Sequence, residues 1–222
     1  MTIKTEGLTS RAYEQLREEI VQGLLPAGEA LYEIHLAERL GMSRTPVREA
    51  LKLLTRDGYL EELPSRGYAV PRRSLEDLRE FFELREVLEA SATRYAALRA
   101  TPAEIAELER LCIRYEREKN DAKWAQVGHD FHSVLIKAAR NTRLATMLDS
   151  LNAQIVLSRR TVAQADAIRR LAAVRDHRAI FEAVKARDDV RAQLLAAEHV
   201  RRSYETTLRA CVPDAFSIQQ AA

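Results

Sequence analysis

Apolar residues recur at i, i+3 and i+4 along almost the whole chain, and this helical period gives way to a strand-like pattern only between Leu60 and Val70. There the chain reads LEELPSRGYAV, two short extended pieces around Pro64-Ser65-Arg66-Gly67, whose composition is that of a turn. A mainly α fold carrying one small β-hairpin follows. With 46% apolar residues and only 7 Gly and 6 Pro in 222 positions, the chain has material for a substantial helical core. No apolar run approaches the roughly 20 residues that span a bilayer, and the opening MTIKTEGLTS lacks the apolar segment of a secretion signal. No membrane association is expected. Cys112 and Cys211 offer no disulfide framework, so the expected location is the reducing cytoplasm.

The hairpin also marks where the chain divides. Pro71-Arg72-Arg73 follows it, and Ser74 with Asp77 three residues on resembles a helix start. Residues 1–72 and 73–222 are therefore read as two domains. The first should hold three helices near 9–22, 32–40 and 44–57, closed by Gly23, Gly41 and Gly58. The second should hold about six helices in an antiparallel bundle. Its breaks fall at the capping box Thr101-Pro102-Ala103-Glu104, at Asn120-Asp121, at Asn141-Thr142, near Gln164–Ile168 and at Asp188-Asp189.

Within the first domain, EIHLAERLGMSRTPVREALKLL (Glu33–Leu54) lays out a helix, a glycine turn and a second helix. Val47, Leu51 and Leu54 share the buried face of the second helix, while Arg44, Thr45, Arg48 and Lys52 fall on or near the opposite side. Arginine presents a fork that matches guanine O6 and N7, and a helix N-terminus suits phosphate. The hairpin would add a wing, with Gly67 permitting close backbone approach and Arg66 reaching phosphate or the minor groove. Duplex DNA is the expected partner. Net charge does not announce it: residues 1–72 carry 10 Lys/Arg against 11 Asp/Glu, a balance of −1, so a few placed groups must supply the affinity.

The stretch from Tyr13 to Val70, with its LPAGEAL approach, LAERLG-x-SRTPVREAL core and DGYLEELPSRGYAV wing, closely resembles the GntR family of bacterial regulators. The resemblance implies a winged helix-turn-helix in which Arg44, Thr45, Arg48 and Gly67 contact operator DNA. Ile34 stands where the fatty-acid-responsive member has a DNA-contacting arginine, so that contact is missing here.

In the second domain His132, His177 and His199 stand out. On one helix His177 and His199 would lie about 33 Å apart, but a helical hairpin folded at residue 188 would bring them level. With His132 facing inward, three imidazoles would form a divalent-metal site with positions left for water or an anion. Residues 76–210 are similar to the FCD ligand-binding domain of the FadR subfamily, on LREVLEASATRYAAL, FHSVLIKAARN and DHRAIFEAVKARDDVRAQLLAAEH. Many members bind a metal such as Zn2+ through one Asp and three His. Here the three His match, and Gly128 occupies the Asp position. Three readings stay open: a three-His site completed by water or effector, a site recruiting His129, and a vacated site. The resemblance also implies a small organic acid as effector, with Arg85 pairing its carboxylate; alternatively Arg85 bonds Glu89 at i+4. It further implies a homodimer that represses a catabolic operon from an inverted-repeat operator. A metal-responsive regulator is the alternative. A three-His metalloenzyme is remote, since HExxH and similar signatures are missing.

Overall fold

The structure is a computed structural model, and it describes residues 2–64, 67–72, 74–159 and 167–211. The chain divides into two compact units. The first runs to Ser74 and takes in residues 150–159; the second holds Leu75–Asp149 and residues 167–211.

The first unit opens with α1 (Thr2–Gln22), α2 (Glu33–Leu40) and α3 (Arg44–Arg56). Helix α1 starts well before residue 9, because Gly7 weakens a helix without ending it and no proline precedes it. Leu16 and Ile20 of α1 meet Val47, Leu51 and Leu54 of α3 in a core from which solvent is excluded. Helix α2 ends at Gly41, whose φ of 63° is the left-handed conformation that a tight exit into α3 demands. Strands β1 (Glu61–Leu63) and β2 (Gly67–Ala69) pair antiparallel, Glu62 opposite Tyr68. The approach segment adds to this ribbon: Leu31 N–H donates to the Tyr68 carbonyl at 2.7 Å, and Tyr68 N–H donates back at 2.9 Å.

The second unit is all helix: α4 (Leu75–Arg99), α5 (Pro102–Arg117), α6 (Asp121–Ala138), the part of α7 (Thr142–Arg159) up to Asp149, α8 (Ala167–Lys185) and α9 (Asp189–Cys211). Helix α4 packs against α6, α8 and α9, its inner face built from Ala90, Ala92, Ala96 and Ala97, which let neighbouring backbones come close. The breaks have local causes. Thr101 caps α5 in a full capping box with Glu104, Asn120 caps α6 through Lys123 N–H, and Asn141 accepts from Leu144 N–H at the head of α7. The expected break near Gln164–Ile168 lies mostly outside the described residues; α8 has begun by Ala167. The α8/α9 hairpin turns on Arg187, at φ 62°, and on Asp188, which accepts from Arg191 N–H. The Arg187 guanidinium also fastens the end of α4, donating to the carbonyls of Ala97 and Ala100.

Candidate nucleic-acid interface and metal centre

Arg44, Thr45 and Arg48 stand exposed in the first turns of α3, while Pro46 and Val47 between them are buried. Both arginines are already held. Glu33, in the first turn of α2, accepts from Arg44 Nε at 2.7 Å, from Arg48 Nε at 2.7 Å and from Arg48 Nη2 at 3.0 Å. The hydrogen bond from Arg48, with that from Arg44, overcomes burial and keeps the Glu33 carboxyl below its usual range. One carboxylate thus aligns two guanidinium forks side by side on the exposed face. Sequence inspection missed Glu33, since pairs separated by 11 and 15 residues carry no periodic signal.

Ile34, beside it, is exposed. Lys52 pairs with Glu49 on the same helix. Gly67 is buried, and a Cβ there would stand 3.2 Å from the Leu31 carbonyl and 3.3 Å from the Tyr32 ring. Its close backbone approach is to its own chain: a side chain would push β2 off the Leu31 segment. Arg66 lies outside the described residues.

In the second unit α6, α8 and α9 bring His132, His177 and His199 together, with one ring nitrogen from each within 4.8 Å of the others. His177 and His199 are buried. Two carboxylates lie against Nδ1 of two of these rings. Asp176 Oδ2 lies 3.1 Å from His199 Nδ1, and Glu89 Oε2 lies 3.4 Å from His132 Nδ1. A carboxylate on one imidazole nitrogen fixes the tautomer and leaves the other nitrogen to ligate. Each carboxylate has its own guanidinium. Arg202 bonds Asp176 through Nε at 3.0 Å and Nη2 at 2.8 Å. Burial alone would raise the Asp176 carboxyl, but hydrogen bonds from His199 and Arg202 outweigh it and hold the group below its usual range.

Arg85 is buried and donates from Nε and Nη2 to Glu89 Oε1 at 2.7 and 2.6 Å. This is the i+4 pair foreseen as the alternative to an effector contact. Its Nη1 is also buried and has no hydrogen-bond acceptor among the described residues.

His177 lies between the Phe131 and Tyr115 rings, each 4.5 Å away, and Trp124 stacks on the far side of Tyr115 at 4.4 Å. Arg170 covers the outer face of Trp124. Tyr115 accounts for the glycine in α6: a Cβ on Gly128 would come within 3.1 Å of Tyr115 Cε2. Among the described residues the metal-capable group contains neither His129 nor Asp130, and Asp130 accepts from Gln126 one turn back. Cys112 donates to the His177 carbonyl, and burial pushes its thiol up to about 12, so it stays protonated. The donor set that remains, three imidazoles with no thiolate, suits Zn2+, Ni2+ or a similar borderline divalent ion.

Residues 8–70 match the family described as bacterial regulatory proteins, gntR family, and residues 80–202 match the FCD domain. The chain belongs to the GntR family. It is a DNA-binding transcriptional regulator with an FCD effector-binding domain, and it is not an enzyme. The regulator is 31% identical over 207 residues to the uncharacterized HTH-type transcriptional regulator BphR of Paraburkholderia xenovorans (strain LB400), covering 89% of this chain and 84% of that one. It is 26% identical over 210 residues to the HTH-type transcriptional repressor RspR of Escherichia coli (strain K12), covering 91% and 90%. The solved structure of E. coli McbR/YncC superposes with a TM-score of 0.78 at 27% identity, over 91% of this chain and 97% of that one. Among the described residues no helix is long and apolar enough to cross a membrane.

Proposed function

We propose that the regulator binds an inverted-repeat operator as a homodimer and represses a catabolic operon until a small organic acid binds its helical domain. The observation that carries the DNA reading is the pair of forks Arg44 and Arg48, exposed at the head of α3 and aligned by one Glu33 carboxylate. In this reading residues 1–72 are the DNA-binding domain. Arg44 and Arg48 read base edges, Thr45 and the Arg66 wing tip meet the backbone, and Gly67 keeps the wing in place. Residues 73–222 bind effector and dimerise. Exposed Val87 and Leu98 on α4, and Val190 and Leu194 on α9, supply apolar surface on two helices that pack together. Repression accords with the name of the E. coli relative RspR.

His132, His177 and His199 would hold a divalent metal, with Glu89 and Asp176 orienting two of the rings, and Arg85 Nη1 would receive the effector's carboxylate. Effector shifts the operator equilibrium only by its differential affinity for the two arrangements of the dimer. Selection of bound duplexes from a random pool, followed by anisotropy titrations with organic acids and metal present or absent, tests the whole scheme. Recovery of a palindrome whose affinity falls with acid present supports it. A palindrome bound by a variant lacking Arg44 and Arg48 as tightly as by the parent overturns the recognition helix. A response to metal alone, with no acid having any effect, selects the metal-responsive alternative that the histidine cluster also supports.

A further inference from the structure

The geometry points to Tyr68 as a DNA contact of the first unit: its hydroxyl donates a hydrogen bond to a backbone phosphate where one strand crosses between α3 and the hairpin. The inference rests on the reading of α3 as the recognition helix and of the hairpin as a wing. Adjacent major and minor grooves of a duplex are separated by a single sugar-phosphate strand. A protein that seats a helix in one groove and its wing in the next must let that strand pass over whatever lies between them. In this chain Tyr68 lies there. Its place in β2 sets it opposite Glu62 of β1, and its ring packs in part against the core of the first unit. Arg48 and Lys52 of α3, Glu33 of α2 and Glu62 all act on its hydroxyl through their charges. The phenol end is therefore at the junction of hairpin, recognition helix and α2.

Three properties suit this side chain to a phosphate. Its backbone is held at both groups: Tyr68 N–H donates to the Leu31 carbonyl at 2.9 Å, and its carbonyl accepts from Leu31 N–H at 2.7 Å. With the chain fixed, only two side-chain torsions remain to be ordered on binding. The residue is partly exposed, and its hydroxyl has no hydrogen-bond partner among the described residues. It also remains a donor. Partial burial, then the charges of Glu62 and Glu33, raise the hydroxyl above its ordinary range against Lys52 and Arg48, so the proton stays on at neutral pH. A neutral donor adds affinity without the counterion release that an arginine or lysine brings, and a phosphate contact positions the duplex without reading its sequence. Such a contact suits a domain whose residues 1–72 carry a net charge of −1. Glu33 is already matched by Arg44 and Arg48, whereas Glu62 is exposed beside the path of the strand and opposes a phosphate there.

The test compares the full chain with Tyr68→Phe, which keeps the ring and loses only the hydroxyl. Anisotropy titrations use the selected palindrome and an unrelated duplex over a range of salt. The variant should bind both duplexes about tenfold more weakly, the lower end of what a hydrogen bond to a charged group contributes. The ratio between the two affinities and the slope of affinity against salt should not change. Parent-like affinity on both duplexes overturns the contact. A loss confined to the palindrome assigns a base edge and overturns the phosphate, while a slope flatter by about one, as removal of a cationic contact gives, overturns the neutral donor. Replacing single phosphates with neutral methylphosphonates then locates the partner. At one position the parent should lose affinity that Tyr68→Phe does not lose, and a scan that affects both proteins alike at every position overturns the inference. Glu62→Gln checks the path without disturbing the ring: it should tighten binding to both duplexes, and unchanged or weaker binding puts the strand elsewhere. Failure of the underlying reading looks different, since a variant lacking Arg44 and Arg48 would then bind the palindrome as tightly as the parent.

Discussion

Replacing Gly128 with alanine sets two effects of known size against each other. Alanine is favoured over glycine inside a helix by about 1 kcal/mol, and Gly128 lies within α6. On that ground alone the substitution stabilises. The new methyl, however, stands 3.1 Å from Tyr115 Cε2, inside the roughly 3.5–4.0 Å at which carbon atoms attract. Tyr115 cannot give way freely, since sliding edgewise takes it out of register with Trp124 and His177, which cover its two faces. Overpacking of this kind costs about 1–3 kcal/mol, so the clash wins and the net loss is about 1 kcal/mol. For a chain of this size that lowers Tm by about 2–4 °C. The same substitution made in a Tyr115→Leu background, where the ring edge is gone, should stabilise by about 1 kcal/mol. Thermal and urea melts of the four proteins close the cycle. Equal stabilisation by Gly128→Ala in both backgrounds would refute the claim that Tyr115 is what demands a glycine.

Other expectations concern separate parts of the molecule. Arg44→Ala and Arg48→Ala should each weaken specific operator binding by about tenfold or more, as loss of a bidentate base contact does, with helix content by circular dichroism unchanged. Glu33→Gln removes a negative charge beside the DNA-facing surface and frees both forks. Binding to non-specific duplex should therefore strengthen while the ratio of operator to non-specific affinity falls; an unchanged ratio would show that Glu33 does not align them. Glu104 is held below its ordinary 4.5, first by the hydrogen bond from Arg140 against the cost of burial, then by the capping bonds of Thr101. A depressed carboxyl stabilises the fold above its unfolded value and loses that contribution as pH falls through the folded one. Glu104→Gln should thus be less stable than the parent at pH 7, and the gap should close in acid below about pH 4; a gap that persists at pH 2 would assign it to packing instead.

Much of this architecture was legible in the residues because its causes are local. Gly41 announces a left-handed exit, Thr101 with Glu104 announces a helix start, and Val47, Leu51 and Leu54 trace one stripe; all appear as expected. The meeting of His177 and His199 was legible too, because a turn at residue 188 places positions equally far on either side at one level. The same symmetry could have pointed to Asp176, one residue before His177 and thus opposite the turn of α9 holding His199 and Arg202. Glu33 on Arg44 and Arg48, Glu89 on His132, and Tyr115 over Gly128 were not legible. Each joins different helices at a separation that depends on how those helices pack, and no spacing rule along one element encodes that. The Gly128 departure was visible, but its reason lives on α5.

The ring stack over the histidines has one more consequence. Trp124 is the single tryptophan in the chain, and it lies against Tyr115, which lies against His177. The protein therefore carries a built-in optical probe two rings from its buried imidazoles. A change in the tilt or charge of His177 alters the contact of phenol with indole, and so the colour and intensity of the light that indole emits. Titrations of the helical domain can be followed in the unlabelled protein, with the DNA-binding head contributing no tryptophan signal of its own.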